Sequence, residues 1–358
     1  MDIDQFDFSL PANLIARYRA NPPNSAKLLH VPAHNASFGD STIANLADFF
    51  EAGELIIYND CKVLPARIGA YHQPSSKIML TFIERIDANQ AGQDHWRILA
   101  KPARKIKENL PLTLDGGLQI MPLSKAEDGS VEISVPMAEY DFYAYLEAHG
   151  AMPLPPYIES ARKQHGEPVS AKQDKDDYQT IFAAKQGGVA APTAGLHIDE
   201  ALRDALIAKN VRLMPVTLLV GAGTFLPVKV QNIEHHKMHQ EWGEVPSDTA
   251  AAIQAQIKAK GKITALGTTS LRIIEAAAQS PQGFGAFKGK TDIFITPGFE
   301  FSIIDRLMTN FHLPKSTLFM LVSAFSGLDR MQAAYRHAVA HDYRFFSYGD
   351  ACLLERSK

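Results

Sequence analysis

The stretch that decides the fold reads Ile263-Thr264-Ala265-Leu266-Gly267-Thr268-Thr269-Ser270-Leu271-Arg272. Its first four residues predict a short buried strand, the glycine and hydroxyl residues predict a tight turn, and residues 271–278 predict a helix. Strand, turn and helix in succession are the repeating unit of an α/β fold. The same pattern fills the chain after Tyr178, with a helix over 199–209 capped by Asp199, a strand over 211–220, a helix over 248–260, a strand over 292–296 and helices over 317–325 and 330–340.

A different pattern, short β-rich runs separated by turn clusters, precedes this α/β region and follows a predicted strand over 55–58. The runs cover residues 63–70, 77–85, 96–100, 118–122 and 131–135. Short strands at this spacing predict a small antiparallel β-barrel, which a helix over 140–148, ended by Gly150, would close. We therefore expect a mixed α/β fold, in which a discontinuous α/β domain, residues 1–60 and 155–358, carries an inserted β-barrel domain, residues 61–154.

Composition and charge limit the class of protein. The chain has 358 residues, of which 46% are hydrophobic and 21% charged, as in a globular protein with a large core. Its formal net charge of −3 gives no bulk argument for a nucleic-acid partner, although a local basic patch is enough to contact phosphate. Two cysteines are too few for a disulfide framework, residues 1–10 lack the pattern of a secretory signal, and no apolar run is long enough to cross a membrane. We expect a cytoplasmic protein.

Two segments rich in small residues and proline predict a preorganised pocket. Residues 190–197 read AAPTAGLH, and residues 220–228 read VGAGTFLPV. Glycine lets the backbone approach a ligand closely and proline fixes the chain, so little conformational entropy is left to lose on binding. The second segment lacks the third glycine and the acidic residue of a dinucleotide fingerprint, and no Gly-x-x-x-x-Gly-Lys-Ser/Thr pattern occurs. Ordinary Rossmann and P-loop sites are therefore rejected.

The βα turn and several histidines carry chemistry. Residues 267–270 place N–H groups and hydroxyls at a helix N-terminus, where a phosphate or carboxylate can bind. The same residues are also typical of a well-capped turn with no ligand. His197 and His312 each lie among glycine, proline or asparagine residues, and each is either a functional or a structural histidine. Residues 235–239 hold three histidines without a His-Glu-x-x-His pattern, so a solvated or substrate-facing cluster is favoured over a metal site.

Three further stretches have open interpretations. The four cations within residues 101–107 are either a solvated loop of the barrel or an arm that contacts phosphate. Residues 344–351 combine aromatic residues with a carboxylate. They are either a final core strand or a wall for a cationic, ring-bearing ligand. Residues 160–177 are polar and charged, and we interpret them as a mobile loop or lid, with a plain solvated loop favoured over a functional lid.

Together these motifs resemble the S-adenosylmethionine:tRNA ribosyltransferase-isomerases of queuosine biosynthesis. The resemblance covers nearly the full chain and is specific because many segments occur in order, while the insert between Ile158 and Tyr178 is longer than the family pattern. The segments that carry it are residues 58–60, 63–67, 153–158, 178–180, 189–197, 216–228, 238–239, 267–272, 291–298, 309–314 and 345–351.

The resemblance implies a reaction, partners and a fold. The ribosyl part of S-adenosylmethionine moves to the 7-aminomethyl group of 7-deazaguanine at the tRNA wobble position, which gives epoxyqueuosine in tRNA and releases adenine and methionine. The implied partners are tRNA carrying the precursor base and S-adenosylmethionine, which is consumed as a substrate. The resemblance also implies no metal or other cofactor, no membrane, a monomer, and an α/β domain with an inserted β-barrel.

The chemistry of that reaction suggests roles that the resemblance does not assign. The attacking amine must be neutral, a proton beside the sulfonium must be removed, and an acid helps adenine to leave; histidine suits such transfers near pH 7. We expect His197 and His312 to be the acid–base groups, and Asp350 or Asp60 to orient a histidine or hold a cation. The expected substrate-binding residues are Thr193, Gly195, Gly221, Gly223, Thr224, Phe225, Thr268, Thr269, Ser270, Arg272, Asn310 and Tyr348, and the expected tRNA-binding residues are Arg67, Lys101, Arg104, Lys105 and Lys107.

Two alternatives belong to other classes. A non-catalytic RNA-binding module would use the barrel as its platform, but it needs aromatic residues and cations and has no use for two glycine-rich segments that bear histidines. A metal-dependent hydrolase that uses the histidines of residues 235–239 is the weaker alternative.

Overall fold

A computed structural model describes residues 1–33, 36–72, 77–88, 94–221 and 230–357. Its strands are β1 (Lys27–Val31), β2 (Gly39–Thr42), β3 (Leu55–Asn59), β4 (Cys61–Val63), β5 (Arg67–Tyr71), β6 (Ile78–Ala88), β7 (Asp94–Lys101), β8 (Leu112–Leu114), β9 (Gln119–Lys125), β10 (Val131–Val135), β11 (Lys185–Gly188), β12 (Arg212–Leu218), β13 (Glu241–Val245), β14 (Ile263–Leu266), β15 (Phe287–Thr291), β16 (Arg306–Asn310) and β17 (Ala351–Glu355). Its α-helices are α1 (Glu139–His149), α2 (Pro156–Gln164), α3 (Asp174–Asp177), α4 (Glu200–Ala208), α5 (Ser247–Lys258), α6 (Thr268–Ala278), α7 (Thr317–Ser326) and α8 (Leu328–Ala340). None of these helices is long and apolar enough to span a membrane.

The largest sheet is assembled from both ends of the chain. Its nine strands follow the order β15, β13, β12, β3, β14, β16, β17, β1 and β2. The four strands β12, β3, β14 and β16 run parallel to one another. Strand β17 runs antiparallel to β16 and parallel to β1, with Leu28 opposite Ala351. This topology confirms the predicted discontinuous α/β architecture.

Helices cover both faces of the parallel strands, which explains why these strands are apolar throughout. Leu55 and Ile57 of β3 belong to one core, which α5, α6 and α7 complete, whereas Ile56 belongs to a second core with Leu202 and Leu206 of α4. A strand with both faces buried has no polar side and reads as a continuous apolar run. The predicted N-cap of α4 is confirmed, because Asp199 accepts a hydrogen bond from the Leu202 N–H at 2.8 Å.

The predicted antiparallel β-barrel is also confirmed. Six strands close on themselves in the order β10, β7, β6, β5, β8 and β9. Apolar residues that alternate along the strands fill the interior, and α1 adds Phe142 and Leu146 to that core. Gly150 ends α1 as predicted, but its φ of −88° is not left-handed. It is needed because a Cβ there would overlap the carbonyl oxygen of Pro65.

The chain passes between the barrel and the sheet in two adjacent segments. Strand β4 leads into the barrel and β11 leads back, and the two pair in parallel as a separate two-stranded sheet. The barrel strands lie within the proposed insertion, residues 61–154, and we retain those boundaries as a proposal.

Two of the predicted strands differ from the structure. The strand predicted at 292–296 is wrong, because β15 precedes it at Phe287–Thr291 and its two exposed lysines hide the pattern. Ile293, Phe294 and Ile295 instead pack on the core as irregular chain. The run predicted at 63–70 is divided between β4 and β5, and the three-residue strand β8 was too short to predict.

The polar segment 160–177 is not a solvated loop over its whole length, so that prediction was wrong in part. It contains the end of α2 and all of α3. Arg162 is 0% exposed and its guanidinium binds both oxygens of Asp174, at 2.8 and 2.7 Å. Charged residues suggest solvent, but a bidentate pair satisfies both charges and permits their burial.

This buried pair yields a test of stability. Asp174→Ala leaves a buried guanidinium without its partner, and we expect the free energy of unfolding to fall by about 3–5 kcal/mol in urea titrations. Asp176→Ala, at an exposed neighbour on the same helix, is the control and should change it by less than about 0.5 kcal/mol. Equal effects of the two substitutions would show that the pair does not hold this segment.

Candidate active site at the carboxyl edge of the sheet

The predicted site residues gather at one edge of the large sheet. The carboxyl ends of parallel strands in an α/β sheet meet at the edge where ligands bind. Residues that follow these ends are Asp60 after β3, Gly221 after β12, Thr268 after β14, and His312 after β16, which itself ends at Asn310. Because Ala351 of β17 lies opposite Asn310, Tyr348 and Asp350 approach the same edge.

A buried amide, that of Asn310, connects three segments of this edge. Its Oδ1 accepts a hydrogen bond from the Thr193 hydroxyl at 3.0 Å, and its Nδ2 lies 3.1 Å from Nε2 of His197 and 3.2 Å from the carbonyl oxygen of Phe346. The Phe346 carbonyl oxygen can only accept, which fixes the nitrogen end of the amide, so Nδ2 donates to His197. The Nε2 of His197 is then the acceptor, and the ring proton is on Nδ1.

Both predicted catalytic histidines are buried and neutral. Burial lowers the pKa of His197 to about 3, helped by the positive charges of Arg19 and Arg344. Burial alone lowers the pKa of His312 to about 3. The Nε2 of His312 lies 3.1 Å from the Thr309 hydroxyl. At pH 7 each ring is therefore an uncharged imidazole with one donor and one acceptor nitrogen.

The two predicted aspartates have other partners. Asp60 accepts a hydrogen bond from the Thr217 hydroxyl at 2.7 Å, and burial raises the pKa of its carboxyl group. Asp350 accepts hydrogen bonds from the backbone N–H groups of Lys27 and Arg344, at 3.0 and 2.7 Å, and from the Arg344 guanidinium at 3.2 Å. Asp350 is thus engaged by backbone donors and the Arg344 guanidinium, and the side chains that hydrogen-bond the two histidines are Asn310 and Thr309.

The turn between β14 and α6 offers free donors. Gly267 has a φ of +91°, which only glycine adopts readily, and it lets the helix begin directly after the strand. The Thr269 hydroxyl is buried and has no hydrogen-bond partner in the described part of the chain. The Ser270 hydroxyl, by contrast, donates to the carbonyl oxygen of Leu266 at 2.8 Å and is fully buried. Ser270 therefore stabilises the first turn of the helix, and Thr269 is the residue free to bind a ligand.

Arg272, one turn further along α6, is a buried cation whose guanidinium is only partly hydrogen-bonded. It forms an ion pair with Glu241 through Nη1, and a second oxygen of Glu241 accepts from the Gly221 N–H at 3.1 Å. Its Nε and Nη2 are buried without partners among the residues that the structure describes. Buried donors are nearly always satisfied, so these two groups require an anionic or carbonyl partner beyond the described residues.

Other predicted pocket residues are placed less completely. Thr268 is buried at the first position of α6, and Gly195 is buried with its α-carbon close to Thr180. The Tyr348 hydroxyl is buried without a partner in the described ranges. Gly223, Thr224 and Phe225 lie outside the described residues.

The predicted tRNA-binding cations divide into two kinds. Lys101, Arg104, Lys105 and Lys107 are all exposed, and within the described residues none of them forms an ion pair. Buried Ile106 anchors this run to the barrel core. Arg67, by contrast, is ion-paired with Glu159, so its charge is already engaged.

Sequence analysis missed Arg19 and Lys27. Arg19 donates to the carbonyl oxygen of Leu196, directly before His197. The spacing of Arg17 and Arg19 was the available signal, but two cations in three residues are too common to single out. A group of possible metal ligands lies elsewhere in the chain: Asp40, His337 and His341 bring ligand atoms within 4.8 Å of one another, whereas the histidines of residues 235–239 form no such group among the described residues.

Comparison with known proteins places this geometry in a family. The family model described as "Queuosine biosynthesis protein" matches residues 3–354. Proteins from Dinoroseobacter shibae and Methylocella silvestris are 47% and 46% identical over 355 and 360 residues, each covering 99% of this chain and 98% of its own length. Both are named S-adenosylmethionine:tRNA ribosyltransferase-isomerase. The crystal structure of S-adenosylmethionine tRNA ribosyltransferase from Thermotoga maritima is 30% identical, with a TM-score of 0.55 over 98% of this chain and 99% of that one. The chain therefore belongs to the queuosine biosynthesis protein family and is, like these relatives, an enzyme of the ribosyltransferase-isomerase class.

Proposed function

We propose that the enzyme transfers and isomerises the ribosyl part of S-adenosylmethionine onto 7-aminomethyl-7-deazaguanine at the wobble position of tRNA. The products are epoxyqueuosine in tRNA, adenine and methionine. We further propose that it acts as a cytoplasmic monomer and needs no metal or other cofactor, with S-adenosylmethionine consumed as a substrate. The observation that carries the proposal is the Thr193–Asn310–His197 network at the carboxyl edge of the parallel strands, in a chain of this family.

Free buried donors support a binding site for the amino-acid end of S-adenosylmethionine. Thr269 and the open edge of Arg272 provide a hydroxyl and a guanidinium fork that match a carboxylate. Among the described residues, no atom lies within 4 Å of the place that a Cβ on Gly221 would take, which supports close approach of a ligand to the backbone there. In this proposal Thr193 and Gly195 line the adjacent wall.

The neutral histidines support a role in proton transfer. A neutral imidazole is the form that accepts a proton, and burial keeps His197 and His312 in that form at pH 7. A pKa of about 3 also makes each ring a weak base, so the proposed role requires that this pKa rise when the substrates bind. With its Nε2 bound to Asn310, His197 offers its Nδ1–H as a donor, which suits hydrogen bonding to a nitrogen of the departing adenine. His312, whose ring contacts only the Thr309 hydroxyl among the described side chains, is then the proposed base.

The direct test is release of adenine from S-adenosylmethionine. We expect release only in the presence of tRNA that carries the 7-aminomethyl precursor base, and none with unmodified tRNA. Binding of tRNA without any adenine release would favour the RNA-binding module instead.

The histidine assignment predicts a large kinetic effect. The double variant His197→Ala/His312→Ala should lose about 10²-fold or more of the single-turnover rate of adenine release, since a positioned acid or base contributes about 10²–10⁴-fold. The double variant His235→Ala/His239→Ala changes exposed histidines and is the matched control. A rate within threefold of wild type for the first variant would remove both residues from the mechanism.

Burial of the same histidines predicts how stability depends on pH. The unfolded chain protonates histidine below about pH 6.5, whereas the folded protein holds both rings neutral down to about pH 3. The unfolded state therefore binds more protons, and the free energy of unfolding falls as the pH drops from about 6.5 toward 4. Urea titrations of His197→Asn/His312→Asn should show a slope shallower by about 1 kcal/mol per pH unit for each histidine. A slope no different from that of His235→Asn/His239→Asn would contradict the neutral assignment.

The exposed cations of the barrel predict how tRNA binding depends on salt. Each phosphate contact contributes about 0.7–0.9 to the slope of log K against log salt concentration. Arg104→Gln/Lys105→Gln should therefore flatten that slope by nearly two units, measured by filter binding of tRNA at several salt concentrations. Lys258→Gln/Lys260→Gln removes two exposed charges from the end of α5 and should leave it unchanged. An unchanged slope in Arg104→Gln/Lys105→Gln would show that residues 101–107 are a solvated loop that does not contact phosphate.

A further inference from the structure

An open cleft of about 360 Å³ lies beside the candidate active site. Two stretches far apart in sequence form its walls, one from Arg19 to Lys27 and the other from Asp342 to Asp350. The second stretch leads directly into β17, whose first residue lies opposite Asn310. The cleft therefore opens at the same edge of the sheet as the proposed catalytic residues.

Two cations of this cleft are not neutralised by carboxylates. Arg19 donates through Nη2 to the Leu196 carbonyl oxygen, while its Nε is buried and has no partner in the described chain. The Nζ of Lys27 lies 2.7 and 3.2 Å from the carbonyl oxygens of His341 and Asp342. Within the described residues, neither side chain forms an ion pair with Asp or Glu. Both retain charge for a ligand.

The carboxylates in the walls do not cancel this charge. Asp350 is 2% exposed and accepts the three hydrogen bonds described above, one of them from the Arg344 guanidinium. Its charge is thus engaged by Arg344 and by backbone donors. Asp342 is exposed to solvent, where water screens its charge. With Arg19, Lys27 and Arg344 against two carboxylates, the lining carries a net positive charge.

The cleft is physically connected to the proposed catalytic histidine. Arg19 holds the carbonyl group of Leu196, the residue before His197. The charges of Arg19 and Arg344 also reach the imidazole, since both contribute to lowering the pKa of His197. A ligand bound in the cleft therefore lies next to the site of the reaction.

We infer that this cleft is an oxyanion site that binds a phosphodiester group of the RNA strand, beside the nucleotide that is modified. The inference rests on the proposed function. A guanidinium and an ammonium at an open surface match the oxygens of a phosphate, and an open cleft lets a continuous strand pass. The carboxylate of S-adenosylmethionine has the same chemistry, so the experiment must separate the two sources. Thr269 and Arg272 already offer that carboxylate a more enclosed site.

The test compares RNA and S-adenosylmethionine binding in one pair of variants. Unmodified tRNA is titrated into wild type, Arg19→Gln/Lys27→Gln and the control Lys258→Gln/Lys260→Gln at several salt concentrations, and S-adenosylmethionine affinity is measured by calorimetry. We expect the cleft variant to flatten the slope of log K against log salt by about 0.7–0.9 units, the contribution of one phosphate contact. Its S-adenosylmethionine affinity should stay within about twofold of wild type, and the control should match wild type in both measurements. Arg19→Lys/Lys27→Arg keeps both charges and should retain the wild-type slope.

Two results would overturn the inference. One is an unchanged salt slope in Arg19→Gln/Lys27→Gln. The other is a tenfold loss of S-adenosylmethionine affinity in that variant, which would assign the cleft to the substrate carboxylate. Binding of unmodified tRNA does not depend on turnover. A wild-type enzyme that binds tRNA but releases no adenine would therefore contradict the proposed function, while the salt dependence of tRNA binding in the variants would still test this inference.

Discussion

The side-chain amide of Asn310 is the interaction on which the arrangement of the site depends. It is buried at the end of β16 and joins the segment of Thr193 and His197 to the backbone before β17. An amide has both donors and an acceptor, so one side chain can satisfy a hydroxyl, an imidazole and a carbonyl group together. A carboxylate would lack the donors, and an apolar residue would leave all three groups unsatisfied in a buried place, at a cost of about 1–3 kcal/mol each.

The parallel strands make such a network possible. They bring residues that are more than 100 positions apart in the chain to one edge, and helices on both faces fix the edge in place. The histidines there gain rigidity and lose charge, because the packing that orients an imidazole also removes the water that would stabilise its protonated form. Among the residues that the structure describes, Nε and Nη2 of Arg272 and the hydroxyls of Thr269 and Tyr348 are buried there without hydrogen-bond partners.

The sequence was informative where local chemistry and structure coincide. The strand, turn and helix at Ile263–Ala278, the closed barrel and the N-cap at Asp199 follow from periodicity, spacing and capping. Contacts across the chain were not predictable in this way. Nothing local distinguishes Asp174 from its exposed neighbours until Arg162 is seen beside it. The Ser270 hydroxyl likewise looks like a ligand donor until its bond to Leu266 is known. Arg19 and Lys27 acquire meaning only from contacts with residues more than 170 positions away.

The pairing of β1 with β17 has a consequence for how the chain is made. During synthesis β1, β2 and β3 emerge first. Strand β1 can pair with β2, but its other neighbour, β17, and both neighbours of β3, β12 and β14, are made much later. The barrel, whose six strands lie within Arg67–Val135, has all its partners as soon as that stretch has left the ribosome. Domains generally fold as units during synthesis, so the inserted domain is the first to complete. The amino-terminal strands meanwhile wait with unpaired edges, which is the state that chaperones protect from aggregation.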